Sequence, residues 1–226
     1  LHSKSKTRIT HNLIKMTGGL WWLSCHFSIK LKKSAYSISS RCIKQKSNTI
    51  SNKCSTFTVP LKAPNCWIND PNGFIWYKGQ YHLFYQCFPY APQWGRMHWG
   101  HAVSKDLVNW EEKGIALYPT KTDDRSGCFS GSAVEQDRTL YLYYTGVNYL
   151  EENPEDINQC RNDQFLAAQM MISSDDGMTF DNVKRKKTVI PPITEKQIGS
   201  KTNTRDPKVC RGKDAWYLVL GSSVDH

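Results

Sequence analysis

The sequence predicts an all-β protein built from a repeated unit of four short strands, and three observations predict it. From about residue 57 the chain runs in short aromatic and β-branched segments separated by Gly, Asn, Asp and Pro, with no sustained helical period. Three apolar runs, 81–86 (YHLFYQ), 140–145 (LYLYYT) and 216–221 (WYLVLG), each follow a polar turn and read as the second arm of a hairpin. The first two are followed by matching segments, 102–111 and 171–181, which share an apolar-Ser-x-Asp pattern closing on an aromatic and an acid. A four-strand unit recurring roughly every 60 to 75 residues is the sequence signature of a β-propeller blade. Two units are complete and a third is begun, so about two and a half blades are expected, fewer than the four to eight that close a propeller.

Ahead of the repeat the texture differs. Residues 1–69 hold 12 of the 30 Lys and Arg and no acid, leaving 18 basic and 20 acidic side chains in the other 157 residues. The formal charge of +10 therefore belongs to the leader, and no basic stripe remains in the body to track phosphates, so nucleic acid is not the expected partner. Residues 1–56 are rich in Ser and Lys and show no strand or helix period. They are expected to stand outside the fold, disordered or non-native, with the propeller domain over residues 57–226. The weak apolar patch at 20–29 fits a secretory leader from Met16, an acid-poor targeting peptide or foreign sequence. Secretion and cytoplasmic residence both stay open. No run reaches the ~20 apolar residues of a membrane span, so no membrane partner is expected. Eight scattered cysteines without a C-x-x-C pair form neither a disulfide framework nor a zinc pattern.

Within the body, Trp67-Ile68-Asn69-Asp70-Pro71-Asn72-Gly73 comes first. Pro71 biases Asp70 towards extended backbone, and Asn72-Gly73 supplies a turn before a strand at 74–77. Asp70 is thus expected at a strand entrance. Ser130–Ser132 and Asp206 occupy the equivalent places before the hairpins of the second and third units. Innermost strands of a propeller surround one axis, so these three entrances should converge on one funnel. Two acids from different blades meeting there suit glycosidic bond cleavage, whose oxocarbenium-like transition state is flanked by carboxylates. Trp67, Trp94 and Phe129 would wall such a pocket, and Asn69, Gln86 and Arg205 would bond sugar hydroxyls. Blander roles are open for each: Asp70 as a turn acceptor, Gln86 bonding backbone between strands, Trp94 capping a blade, Arg205-Asp206 as a surface ion pair. His98 and His101 lack a third ligand and read as structural, and nothing requires a metal or an organic cofactor.

Five segments in this order, WINDPNG (67–73), YHLFYQ (81–86), WGH with SKDLVNW (99–101, 104–110), GCFSGSA (127–133) and RDPKV (205–209), resemble the family 32 glycoside hydrolases: invertases, sucrose-6-phosphate hydrolases, inulinases and levanases. The resemblance covers about residues 60–226. It implies a five-bladed propeller, normally followed by a β-sandwich domain that is missing here, and retaining hydrolysis of terminal β-D-fructofuranosides. It implies Asp70 as nucleophile and Asp206 as transition-state stabiliser supported by Arg205, with Asn69, Gln86, Trp94, Phe129 and Ser130 lining the fructose subsite. The partner implied is a small sugar substrate: sucrose, sucrose 6-phosphate or a fructan. Oligomeric state is left open. The family's acid/base Glu falls beyond His226, so the chain alone is expected to be inactive; a non-catalytic fructoside-binding homologue is the alternative, and an arabinose- or xylose-cleaving enzyme on the same scaffold a further rival. Phe88 and Thr204 depart from the family's usual residues, which bears on substrate preference.

Overall fold

The structure is a computed structural model that describes residues 9–16 and 66–223. The described residues contain eleven strands, β1 (Ile9–Met16), β2 (Trp67–Tyr77), β3 (Gln80–Phe88), β4 (His98–Ser104), β5 (Trp110–Leu117), β6 (Gly127–Gln136), β7 (Thr139–Tyr149), β8 (Phe165–Ser174), β9 (Lys187–Ile190), β10 (Thr204–Arg211) and β11 (Trp216–Ser223), and two short 3-10 turns. They form three antiparallel sheets. β2-β3-β4-β5 and β6-β7-β8-β9 are sequential four-stranded blades, and the third sheet has the order β1-β11-β10. The all-β propeller expectation is met, with two whole blades and the first hairpin of a third.

The apolar-Ser-x-Asp repeat marks the same turn in both whole blades. Ser104 Oγ accepts the Leu107 N–H at 2.9 Å and Asp106 Oδ1 accepts those of Val108 and Asn109. In the second blade Ser174 Oγ accepts the Gly177 N–H at 2.9 Å and Asp176 Oδ1 those of Met178 and Thr179. Short polar side chains thereby satisfy the backbone where β4 and β8 end. The left-handed position of this turn is Gly177 in one blade and Leu107, at φ 66°, in the other.

The blades face each other across two apolar seams. Between the first and second, Tyr77, Phe84, Trp99 and Leu117 pack with Leu140, Leu142, Tyr144, Met170 and Ile172. Between the second and third, Tyr143 and Val134 pack with Val209, Leu218 and Leu220. One ion pair is fully buried: Lys186 Nζ lies 2.6 Å from Asp124 Oδ2, which also accepts the Tyr144 hydroxyl at 2.8 Å. Burying two charges is tolerable only with such extra bonds.

Within the leader expected to stand outside the fold, Ile9–Met16 forms a strand paired with β11 over its whole length, Ile9 opposite Ser223 and Met16 opposite Trp216. The physical reason is the free edge of β11, a row of unpaired N–H and C=O groups that accepts any extended segment. The remainder of 1–56 lies outside the described residues.

Candidate functional site

The first strands of the three sheets, β2, β6 and β10, lie side by side, with β6 between the other two. Each loses register with its hairpin partner near its start, and β2 does so a second time between Asn72 and Ile75. The steps near the starts fall between Ile68 and Pro71 on β2, between Cys128 and Gly131 on β6, and between Arg205 and Lys208 on β10. In every case the first strand advances three residues while its partner advances two, which is a β-bulge. The residues left unpaired are Asn69-Asp70, Phe129-Ser130 and Asp206-Pro207. Bulges re-aim side chains and stop the flat ladder locally, and here they do so at one equivalent level of three neighbouring strands.

This corrects the local geometry read from sequence. Asp70, Ser130 and Asp206 do not precede their strands; they lie inside strands that begin at Trp67, Gly127 and Thr204. Pro207 does not stop the ladder because the bulge leaves it unpaired, and Pro71 resumes the ladder just past its bulge, opposite Tyr85.

Contacts link the predicted residues into one cluster. Ser130 Oγ donates to Asp70 Oδ2 at 2.6 Å across the two blades. Trp67 Nε1 donates to Asn69 Oδ1 at 2.9 Å, and Asn69 Nδ2 donates to Gln86 Oε1 at 2.7 Å. Gln86 is buried and fixes Asn69, the neighbour of Asp70, in place of the inter-strand backbone role open to it. Trp94 and Phe129 meet edge to face, ring centres 6.2 Å apart and planes at 78°. Phe129 in turn adjoins Ser130, and its carbonyl accepts the Trp99 Nε1–H at 3.1 Å.

Asp206 completes the group from the third sheet. Its carboxyl is held above the ordinary aspartate pKa, first by desolvation, while the Arg205 charge pulls it down and the Asp70 charge pushes it up. The residue's surface is open to solvent, yet protein atoms crowd its carboxyl enough for desolvation to lead. The bulges that carry Asp70 and Asp206 lie on β2 and β10, the two strands that flank β6. Arg205 acts on Asp206 through its charge; the ion pairs among the described residues do not include one between them.

Asn72 was read only as turn chemistry. It is buried between the first two blades, where its Oδ1 accepts the Gly131 N–H at 3.3 Å and its Nδ2 has no partner. The two histidines of His98-Trp99-Gly100-His101 are committed to protein partners: His98 Nδ1 donates to the Arg96 carbonyl at 2.9 Å, and His101 Nε2 lies 3.0 Å from His82 Nδ1. A separate hollow of about 460 Å³, lined by Phe88, Tyr90, Arg96, His98, Tyr118 and Arg125 among others, contains none of the predicted site residues.

Two carboxylates accompanied by aromatic, amide and guanidinium side chains can bind a polyhydroxylated ring and stabilise positive charge on it. Known proteins resemble the chain in this region. A sucrose-6-phosphate hydrolase of Zymomonas mobilis is 43% identical over 162 residues, covering 70% of this chain and 28% of that protein. The solved GH32 β-fructofuranosidase of Bombyx mori superposes with a TM-score of 0.58 at 38% identity, over 72% of this chain and 31% of that one, and a mutant of it has been solved in complex with sucrose. A fructan 1-exohydrolase of Cichorium intybus gives a TM-score of 0.57 at 32% identity, over 73% and 29%. The chain thus spans about 30% of the length of these relatives. The profile described as the glycosyl hydrolases family 32 N-terminal domain matches residues 61–226, and by that match the chain belongs to family 32 of the glycosyl hydrolases.

Proposed function

We propose that this chain supplies the nucleophile and the fructose-binding side of a site that hydrolyses terminal non-reducing β-D-fructofuranosides with retention. Asp70 is the nucleophile: a carboxylate oxygen attacks the anomeric carbon, the bond to the glycosidic oxygen breaks, and a fructosyl ester forms that water later hydrolyses. The Ser130 hydroxyl holds one Asp70 oxygen and leaves the other free to attack. Asp206 accepts hydrogen bonds from fructose hydroxyls and stabilises the positive charge developing on the ring. Asn69, Gln86 and Arg205 bond the sugar, with Trp94 and Phe129 as its apolar wall.

The observation that carries this reading is that Asp70, joined to Ser130 across two blades at 2.6 Å, and Asp206 occupy bulges near the starts of the neighbouring strands β2, β6 and β10. The relatives' names, hydrolases of sucrose phosphate, sucrose-type sugars and fructans, supply the substrate class. Retention also requires a second carboxyl about 5–5.5 Å from the nucleophile as acid and then base. The carboxylates gathered here do not include one free for that role, since Asp206 is assigned to binding, so the 226-residue chain alone should release no fructose.

In the full-length protein, Asp70→Asn should lower kcat for fructose release by at least about 10³-fold with KM little changed. Asp206→Asn should lower kcat and raise KM together. Undiminished turnover by the Asp70 variant, or fructose release by the 226-residue chain, would overturn this assignment.

A further inference from the structure

Asp206 sits in a backbone conformation that its own sequence opposes. Its φ is 61°, in the left-handed region where a Cβ is crowded, and the next residue is Pro207, whose ring disfavours α-type conformations before it. A residue so placed persists only where its surroundings over-determine it. β11 cannot do so, because the bulge leaves Asp206 and Pro207 without partners on that strand.

The second blade does. Thr145 Oγ1 on β7 accepts the Asp206 N–H at 3.0 Å. The same hydroxyl donates to Gln169 Oε1 on β8 at 2.9 Å, and Gln169 Nε2 donates to the Thr204 carbonyl at 2.7 Å. Beyond the bulge, Ser132 Oγ on β6 donates to the Pro207 carbonyl at 2.8 Å and accepts the Val209 N–H at 3.0 Å. Thr145, Gln169 and Ser132 are all buried.

The polarity of this chain is fixed from its ends. A carbonyl can only accept, so Gln169 must turn its amide nitrogen to Thr204 and its oxygen to Thr145. The single proton of Thr145 then goes to Gln169, and its oxygen is left to receive the Asp206 N–H. No other arrangement satisfies all four groups, and each is expensive to leave unmade at such depth.

We infer that Thr145 and Gln169 are positioning residues for Asp206, a buried relay from the second blade that locks the bulge of the third in the left-handed backbone conformation from which this carboxylate is presented. The inference rests on the fructoside reading for what the Asp206 carboxylate does, and on the hydrogen bonds alone for how it is held. Neither residue reaches the sugar. Without the relay, Asp206 should relax to an extended conformation, the one its proline favours, and its carboxyl should move with it.

The test uses isotope-labelled 226-residue chain and follows the Asp206 amide and carboxyl by NMR. In the wild type, the Asp206 amide should exchange with solvent at least ~10²-fold more slowly than an open amide, although the residue is exposed. Exchange at the open-amide rate would overturn the inference without any variant. Thr145→Val, which keeps the shape and removes the hydroxyl, should abolish that protection and move the carboxyl titration down towards an ordinary aspartate. Thr145→Ser should restore both. Gln169→Met, close in length and without either polar group, should weaken the protection and move the titration in the same direction as Thr145→Val, and stands in for it if that variant does not fold. Variants that only lower Tm, with Asp206 exchange and titration unchanged, would show the relay to be packing alone. If the NMR changes occur as expected but the full-length enzyme cleaves no fructoside, the positioning stands and the proposed function falls.

Discussion

Ser130 has one hydroxyl proton, and it gives it to Asp70 at 2.6 Å. A hydrogen bond to a charged group contributes about 1.5–3 kcal/mol, so Ser130→Ala should lower kcat/KM by roughly 10- to 100-fold in the full-length enzyme. Thermal stability should hardly move, because the pair is exposed to solvent. A steady-state assay beside a melting curve checks both, and an unchanged kcat/KM would show that Ser130 neither orients nor polarises the carboxylate. At this scale the sequence was legible wherever chemistry interrupts a strand pattern. Asp70 beside Pro71, Ser130 among glycines and Arg205-Asp206-Pro207 all put polar and turn residues ahead of an apolar hairpin. Thr145 and Gln169 were not legible, because a Thr ending LYLYYT and a Gln inside a buried strand look like ordinary ladder residues. Only the register of a neighbouring sheet reveals what they face.

The bulges operate at the scale of the element. An extra residue near the start of each of β2, β6 and β10 aims a side chain that a regular pleat would send elsewhere. The second bulge also relies on Gly131, where an added Cβ would stand 1.9 Å from the Tyr143 carbonyl oxygen and 2.8 Å from the Tyr144 Cα. Backbone atoms of a central strand cannot give way by that much. Gly131→Ala should therefore cost about 3 kcal/mol or more, measured as a fall in denaturant midpoint at unchanged slope, with loss of the Ser130–Asp70 contact. A variant of wild-type stability would mean that β6 and β7 can separate there. Hairpins and the Ser-x-Asp turns could be read from alternation and turn residues. The bulges could not, since a one-residue slip inside a short strand leaves no compositional mark and Pro71 invites a turn assignment instead. β1 was missed for a related reason: its pairing is dictated by the open edge of β11, and its own pattern is too weak to announce a strand.

Across the whole molecule, what unites the blades is their seams, and one of them is sensitive to acid. His82 and His101 lie stacked at the seam of the first two blades, ring centres 5.1 Å apart, with Phe84 stacked on His101 at 4.3 Å and Phe180 edge-on to it. Burial pushes His101 down to about 3, helped by its neighbour His82, and burial lowers His82 as well. The unfolded chain therefore binds more protons than the folded one between about 3 and the ordinary histidine range near 6.5. Stability contributed by the neutral pair is complete above that range and is lost as pH falls through it, by up to about 1.4 kcal/mol per pH unit for each proton taken up. Asp175 and Asp181, held below the ordinary aspartate range by Arg185 and by backbone N–H groups respectively, add acid lability at lower pH. Unfolding free energy measured from pH 7 to pH 4 should slope downward, and His101→Gln should flatten that slope whatever it does to the value at neutral pH. An unchanged slope would place the protonation elsewhere.

The central claim is chemical: Asp70 becomes esterified by fructose during turnover. Peptide mapping by mass spectrometry of full-length protein, acid-quenched during reaction with sucrose or a fructoside with a good leaving group, tests it most directly. The account predicts one fructosyl group on the peptide containing Asp70, absent in Asp70→Asn. A fructosyl group on a different carboxylate, or rapid turnover with inverted product and no ester at all, would contradict it.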